Sequence, residues 1–85
     1  MPAESLIIQR SARKRLLKLP LKIHQKIISA LDIIKEEPIS GSKLEGELRR
    51  YYKYSVGDYR IVYTFDKKKS IVYVLKIEHR QGVYK

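Results

Sequence analysis

An α+β domain, with a helical hairpin laid on a twisted antiparallel sheet, is the fold class that this sequence predicts. Three observations predict it. Apolar residues recur at helical spacing between Ala12 and Ile34. The period switches to two near Tyr51 and stays there to Ile77. Gly57-Asp58 stands between two alternating runs, where a two-residue hairpin turn belongs. At 85 residues the chain suits a single domain, residues 1–85, with one modest core.

The elements follow in order. Leu6-Ile7-Ile8 reads as a short strand. Ser11 offers a side-chain oxygen to an orphan N–H of a first turn, which predicts a helix capped there and running to about Leu19. Ala12, Leu16 and Leu19 share one face of it. Pro20 breaks the hydrogen-bond ladder and holds Leu19 extended. Ile23, Ile27, Ala30, Leu31 and Ile34 then form a second stripe, with Lys22, Gln25, Lys26, Ser29 and Asp32 largely outside it. This helix ends near Glu36-Glu37-Pro38, and Ile39 to Gly46 reads as a loop. Tyr52, Tyr54 and Val56 alternate with Lys53 and Ser55. Tyr59, Ile61, Tyr63 and Phe65 alternate with Arg60, Val62 and Thr64. Asp66 to Lys69 form a polar turn, and Ile71, Tyr73, Leu75 and Ile77 alternate with Val72, Val74 and Lys76. The order is β-α-α-β-β-β.

Register turns this pattern into a surface. A turn at Gly57-Asp58 opposes Val56 to Tyr59, Ser55 to Arg60 and Lys53 to Val62, and opposed residues share a face. Tyr52, Tyr54, Val56, Tyr59, Ile61 and Tyr63 are thereby expected against the helices. Lys53, Ser55, Arg60, Val62 and Thr64 are expected on the far face. A three-residue loop, Asp66 to Lys68, would bring Ile71, Tyr73 and Leu75 to the core and send Val72, Val74, Lys76, Glu78 and Arg80 outward with Arg60. Taken singly, Lys53 is an ordinary solvated strand residue, Arg60 a fork tying strands together and Arg80 a rim charge. Their convergence on one face is what suggests a phosphate site. The expected outward valines, Val62, Val72 and Val74, suggest that a partner segment with acidic and apolar side chains covers part of that face.

Charge points the same way. Nineteen Lys and Arg against nine Asp and Glu give a net charge of +10, which favours polyanions: RNA, DNA, an acidic partner or an anionic membrane. Residues 1–46 carry nine basic and five acidic side chains, and residues 47–85 ten and four, so the shorter second part is the more basic. Excess lysine as a simple aid to solubility accounts for the same count. Lys67-Lys68-Lys69 reads as a solvated hairpin tip. No cysteine is present and only two histidines, which offers no disulfide and no credible metal site. That composition suits a reducing cytoplasm. No secretory leader is expected, since Leu6-Ile7-Ile8 is too short for its apolar core, and no apolar run approaches the roughly 20 residues that span a bilayer. Most of the seven tyrosines fall on the core face as packing residues. Tyr51 lies opposite Tyr52 in phase and could stack a base, and Tyr84 belongs to no core pattern. His24 reads as surface, whereas His79 adjoins Arg80. No Gly-rich phosphate loop and no Ser/His/Asp arrangement is present.

The ordered motifs resemble toxins of the RelE/ParE superfamily. A strand leads to Ser11-Ala12 and then to Lys18-Leu19-Pro20. Pro38, Gly41, Leu44 and Gly46 fall at a Pro-x-x-Gly-x-x-Leu-x-Gly spacing. Val56-Gly57-Asp58-Tyr59-Arg60-Ile61-Val62-Tyr63 is the central signature, and His79-Arg80-x-x-Val83-Tyr84 closes the chain. Each piece is weak alone; together, in order and over nearly the whole length, they are specific.

The resemblance implies a RelE-like fold shared with small microbial RNases. It implies a toxin of a type II toxin–antitoxin system that cleaves mRNA in the ribosomal A site, without metal or other cofactor. Its partners would be a cognate neutralising antitoxin, the 70S ribosome and mRNA. In such a reaction the ribose 2′-oxygen bonds to its own phosphorus and the bond to the 5′-oxygen breaks. A base takes the 2′-proton, positive charge meets the phosphorane, and a donor protonates the leaving oxygen. Carried over by position, Arg60 and Arg80 would hold the phosphate and Lys53 would stabilise charge or assist proton transfer. Tyr84 would stack on or orient the nucleotide. Lys53 and Glu78 are the candidate bases, His79 the candidate acid, and Arg49, Arg50, Tyr51 and Ser55 the expected RNA contacts. Many relatives carry a second basic residue where this chain has Ser55. The superfamily also holds ParE-type poisons of DNA gyrase, and a partner-binding module of the same fold without catalysis is a third reading.

Overall fold

The computed structural model describes residues 2–43 and 50–79. In chain order these form β1 (Ser5–Ile8), α1 (Arg10–Leu17), α2 (Leu21–Glu36), β2 (Ser42–Lys43), β3 (Tyr52–Val56), β4 (Tyr59–Asp66) and β5 (Ile71–His79). The sheet order is β1-β5-β4-β3-β2. The helical hairpin on a sheet is as expected, and so is the order of its main elements. Two features add to it. β1 runs parallel to β5, so the sheet is mixed. Ser42 and Lys43, expected within a loop, pair with Lys53 and Tyr52 as a short edge strand.

Local chemistry sets the helix ends. The N–H of Gln9 donates to the Val74 carbonyl at 2.9 Å, and the Gln9 carbonyl accepts from Arg13 at 2.9 Å. Gln9 is therefore both the last residue tied to the sheet and the N-cap of α1, which uses no side-chain cap. Ser11, expected as the cap, is the second helical residue, because sheet pairing of β1 decides where the chain turns. Leu19 donates to Leu16 at 3.2 Å in a tightened last turn. Pro20 then caps α2 at φ −54° and ψ 149°, where its missing N–H costs nothing.

Ala12 and Leu16 of α1 and Ile27, Ala30, Leu31 and Ile34 of α2 form the helical side of the core. Ile61 and Tyr63 of β4, with Val72, Val74 and Ile77 of β5, form the sheet side. Ile27, Ile34, Ile61, Tyr63, Val72 and Val74 are fully buried. Each aliphatic side chain buried this way stabilises by about 1.5–3 kcal/mol, an upper estimate against a compact unfolded chain.

The β3–β4 register is the expected one: Val56 faces Tyr59, Ser55 faces Arg60 and Lys53 faces Val62. Gly57 takes φ +58°, the sign that a glycine-first hairpin turn requires. The β4–β5 register corrects the expectation. Asp66 pairs with Ile71, so the loop is Lys67 to Ser70. Its even length is opposite to the odd one expected, with Ser70 at φ 57°. Val72 and Val74 consequently enter the core, while Ile71 and Tyr73 turn to the far face. A bulge then restores the phase. Tyr63 pairs with Val74 and Val62 with Lys76, which leaves Leu75 as the extra residue. Beyond it Ile61 meets Ile77 in the core and Arg60 meets Glu78 outside, as expected. The valines expected to invite a partner are thus reduced to Val62, and Tyr73 and Leu75 replace them.

Tyr63 ties the loop before β2 to the core. Its ring stacks on Tyr52 with centroids 5.3 Å apart and planes 13° from parallel. Its hydroxyl accepts the Gly41 N–H at 3.0 Å. Burial raises its pKa above the ordinary phenol value, partly offset by the hydrogen bonds with Gly41 and Ser40. Tyr63→Phe leaves the Gly41 N–H without that acceptor and should cost about 1–3 kcal/mol in urea unfolding. The raised pKa also fixes a pH dependence. The unfolded chain loses this proton first, so Tyr63 contributes stability that is fully present below about pH 10 and is lost as pH rises further. Tyr63→Phe should remove that part of the alkaline decline.

Candidate active site

The far face of the sheet is built in rows that run across the strands. Ser42, Lys53, Val62 and Lys76 make one row from β2 to β5. Ser55, Arg60 and Glu78 make the next. Lys53 and Arg60 are diagonal neighbours across β3 and β4, a relation that sets Cα atoms about 7–8 Å apart. That separation lets a long ammonium and a guanidinium converge on one phosphate. Lys53, Arg60 and Glu78 are each half-buried, and Lys76 and Ser55 are exposed. Among the described residues these two rows therefore hold three cations and one carboxylate on regular strands, where backbone pairing fixes their positions better than a loop would.

Glu78 lies directly opposite Arg60. Directly opposed side chains start from Cβ atoms about 4.5–5.5 Å apart, so the carboxylate and the guanidinium rise side by side from the same face. His79 lies elsewhere. It opposes Tyr59, on the helix side of the sheet, and the two rings meet edge to face with centroids 4.9 Å apart. The acid expected at His79 is thus separated from Lys53 and Arg60 by the thickness of the sheet, because one residue along a strand reverses the face. Arg50 is exposed and Tyr51 half-buried. Both line a cleft on the far face beside the basic rows. Arg49, Arg80 and Tyr84 lie outside the described residues.

Two parts of this surface escaped sequence reasoning. Lys76 was expected on the far face but not as a site residue. Its pairing with Val62 puts it across from Lys53, and the Lys76-x-Glu78 spacing was the available signal. Tyr73 and Leu75 were expected in the core, and nothing in the local sequence marks the bulge that turns them out. Among the described residues no three of His, Cys, Asp or Glu cluster as a metal ion would require. No described helix is long and apolar enough to cross a membrane.

Comparison with known proteins shows what the chain is similar to. The family model described as ParE toxin of type II toxin-antitoxin system, parDE, matches residues 6–84. Toxin RelG of Mycobacterium tuberculosis is 31% identical over 77 residues, covering 88% of each chain. The crystal structure of the toxin–antitoxin complex RelBE2 from the same organism contains a chain that superposes with a TM-score of 0.83. It is 29% identical, and the match covers 94% of this chain and 100% of that one. A chain of the archaeal RelE–RelB complex from Pyrococcus horikoshii gives a TM-score of 0.75 at 25% identity, covering 94% and 97%.

Proposed function

Because the chain belongs to the ParE toxin family of type II toxin–antitoxin systems, within the RelE/ParE superfamily, we propose that it is a ribosome-dependent endoribonuclease. It cuts mRNA in the ribosomal A site in the cytoplasm, and a cognate antitoxin silences it. The observation that carries this reading is the row structure of the far face, where Lys53 and Arg60 stand as diagonal neighbours with Lys76 and Glu78 beside them.

The geometry suits 2′-OH attack. As the 2′-oxygen bonds to phosphorus, charge builds on the two non-bridging oxygens. A guanidinium fork at Arg60 and an ammonium at Lys53 stabilise that charge more than they stabilise the ground-state diester. Where Glu78 takes the 2′-proton, Lys53 serves as the ammonium; where Lys53 takes it, Arg60 is left to meet the phosphorane charge. The Glu78 and Lys53 side chains rise from the same face as Arg60, which His79 does not share. Arg80 and Tyr84 are assigned by the motif resemblance, Arg80 to the phosphate and Tyr84 to the nucleotide. Arg80→Ala should slow cleavage by about 100-fold, the cost of one oriented electrostatic donor, with ribosome binding much less affected. Near-normal cleavage by that variant would remove Arg80 from the site.

The antitoxin assignment draws support from the two complexes, RelBE2 and archaeal RelE–RelB, in which a similar chain is crystallised with its antitoxin. A net charge of +10 favours an acidic toxin-binding segment.

Poisoning of DNA gyrase is a second reading, favoured by the name of the matching family model. One experiment separates them. The protein is added to a translating extract and, separately, to gyrase with supercoiled DNA. New mRNA ends that require ribosomes support the nuclease. Gyrase-linked DNA breaks support the poison, and neither product leaves a module that only binds its partner.

A further inference from the structure

We propose that the cleft between Tyr51 and Tyr73 is a nucleobase subsite, which takes the base of a nucleotide next to the scissile phosphate and gives cleavage its sequence preference. The proposal rests on the mRNA-cleavage reading and deepens it. Arg50, Tyr51, Thr64, Tyr73, Leu75 and Gln9 line the cleft. It opens on the far face, because Thr64 pairs with Tyr73 in the row beyond Val62. Val62 sits between Lys53 and Lys76. The aromatic row therefore begins two residues along β4 from the basic row, about 7 Å away.

Single-stranded RNA presents the matching pattern, with an anionic phosphate and a flat apolar base in each nucleotide. Proteins that hold it combine cations along the backbone with aromatic rings under the bases. Here both tyrosines are only half-buried, so each keeps surface open to a ligand. Arg50 is exposed at the rim, placed for the phosphate on the other side of the base. Gln9 and Thr64 bring amide and hydroxyl groups to the base edge. Asp66 also lines the cleft and accepts the Lys69 N–H through Oδ1 at 3.1 Å, which leaves its second oxygen able to accept from an exocyclic amino group. The turn-and-bulge pair creates this site. An even loop puts Tyr73 on the far face, and the extra residue Leu75 returns Lys76 and Glu78 to phase with Arg60.

The experiment is single-turnover cleavage on ribosomes programmed with a panel of A-site codons, comparing wild type, Tyr51→Leu, Tyr73→Leu and the two Phe variants. Thermal melting of each is recorded in parallel. Removing a stacked ring should lower cleavage of the preferred codon by about 10-fold or more and flatten the differences among codons. Phe keeps the ring, so each Phe variant should recover most of the rate that its Leu counterpart loses, together with the codon profile. Should Tyr73→Leu fail to fold, Tyr51→Leu, outside the regular strands, decides alone. Leu variants that melt normally and keep both rate and codon profile would overturn the subsite. So would a fall in rate that is uniform across codons, or a loss confined to antitoxin binding, which would give the cleft to a protein partner. A wild-type protein that cuts no codon on ribosomes would overturn the subsite together with the cleavage reading. An active wild type with unchanged Leu variants would strike the subsite only.

Discussion

Arg60→Ala should cleave A-site mRNA about 100-fold more slowly than wild type in a single-turnover assay, since one oriented donor to a developing oxyanion is worth that much. Arg60 is held on the middle strand, between Ser55 on β3 and Glu78 on β5. It has less freedom than a loop residue, and its planar fork can span two phosphate oxygens at once. Arg60→Lys keeps the charge but not the fork, and should recover only part of the rate. Ribosome binding should change little, because Arg60 is one of 19 Lys and Arg and the long-range attraction is shared among all of them. Glu78→Gln tests the supporting role. If the carboxylate only orients Arg60, the rate falls modestly at every pH. If it takes the 2′-proton, the loss is large and the acid limb of the pH–rate profile disappears. An Arg60→Ala variant that melts normally and cleaves normally would remove the centre of the proposed face.

Gly41→Ala should destabilise the fold by about 1–3 kcal/mol, as overpacking in a tight site does, and should lower cleavage as well. A Cβ at this position would stand 2.6 Å from the Lys53 carbonyl oxygen and 2.7 Å from the Tyr63 hydroxyl. Neither neighbour yields easily. The carbonyl belongs to a strand residue, and Tyr63 is fully buried and stacked on Tyr52. The glycine is thus required for space. Because Ser42 pairs with Lys53, the strain falls on the backbone of a proposed catalytic residue. Urea unfolding measures the first effect. Cleavage under conditions where the variant is fully folded measures the second. Wild-type stability for Gly41→Ala would show that the segment before β2 does not press on Lys53.

The helices and the first hairpin were legible because their signals are local. The stripe from Ile23 to Ile34 and the Gly57-Asp58 turn each specify their own geometry, and the β3–β4 register followed to the residue. That register alone placed Lys53 and Arg60 together. The third strand was legible only in its second half. An even loop and a bulge change the phase twice, so Ile77 and Glu78 fall where alternation puts them while Val72, Tyr73 and Val74 do not. Both runs are apolar, and alternation cannot tell which of two apolar sets is the inner one. The Ser11 cap failed for a related reason: a sheet hydrogen bond at Gln9 ended the strand earlier than the capping signal could show. His79 adjoins Glu78 on β5 yet faces Tyr59 on the helix side, since strand geometry sends adjacent residues to opposite faces.

The most direct test of the central claim uses ribosomes programmed with a message whose A-site codon carries 2′-deoxyribose at the scissile nucleotide. The all-ribose message should be cut to a 2′,3′-cyclic phosphate, resolving to a 3′-phosphate, and a 5′-hydroxyl, while the deoxy message should remain intact. Cleavage of the deoxy message at the same position, or 5′-phosphate ends on the all-ribose product, would contradict 2′-OH attack on the Lys53–Arg60 face.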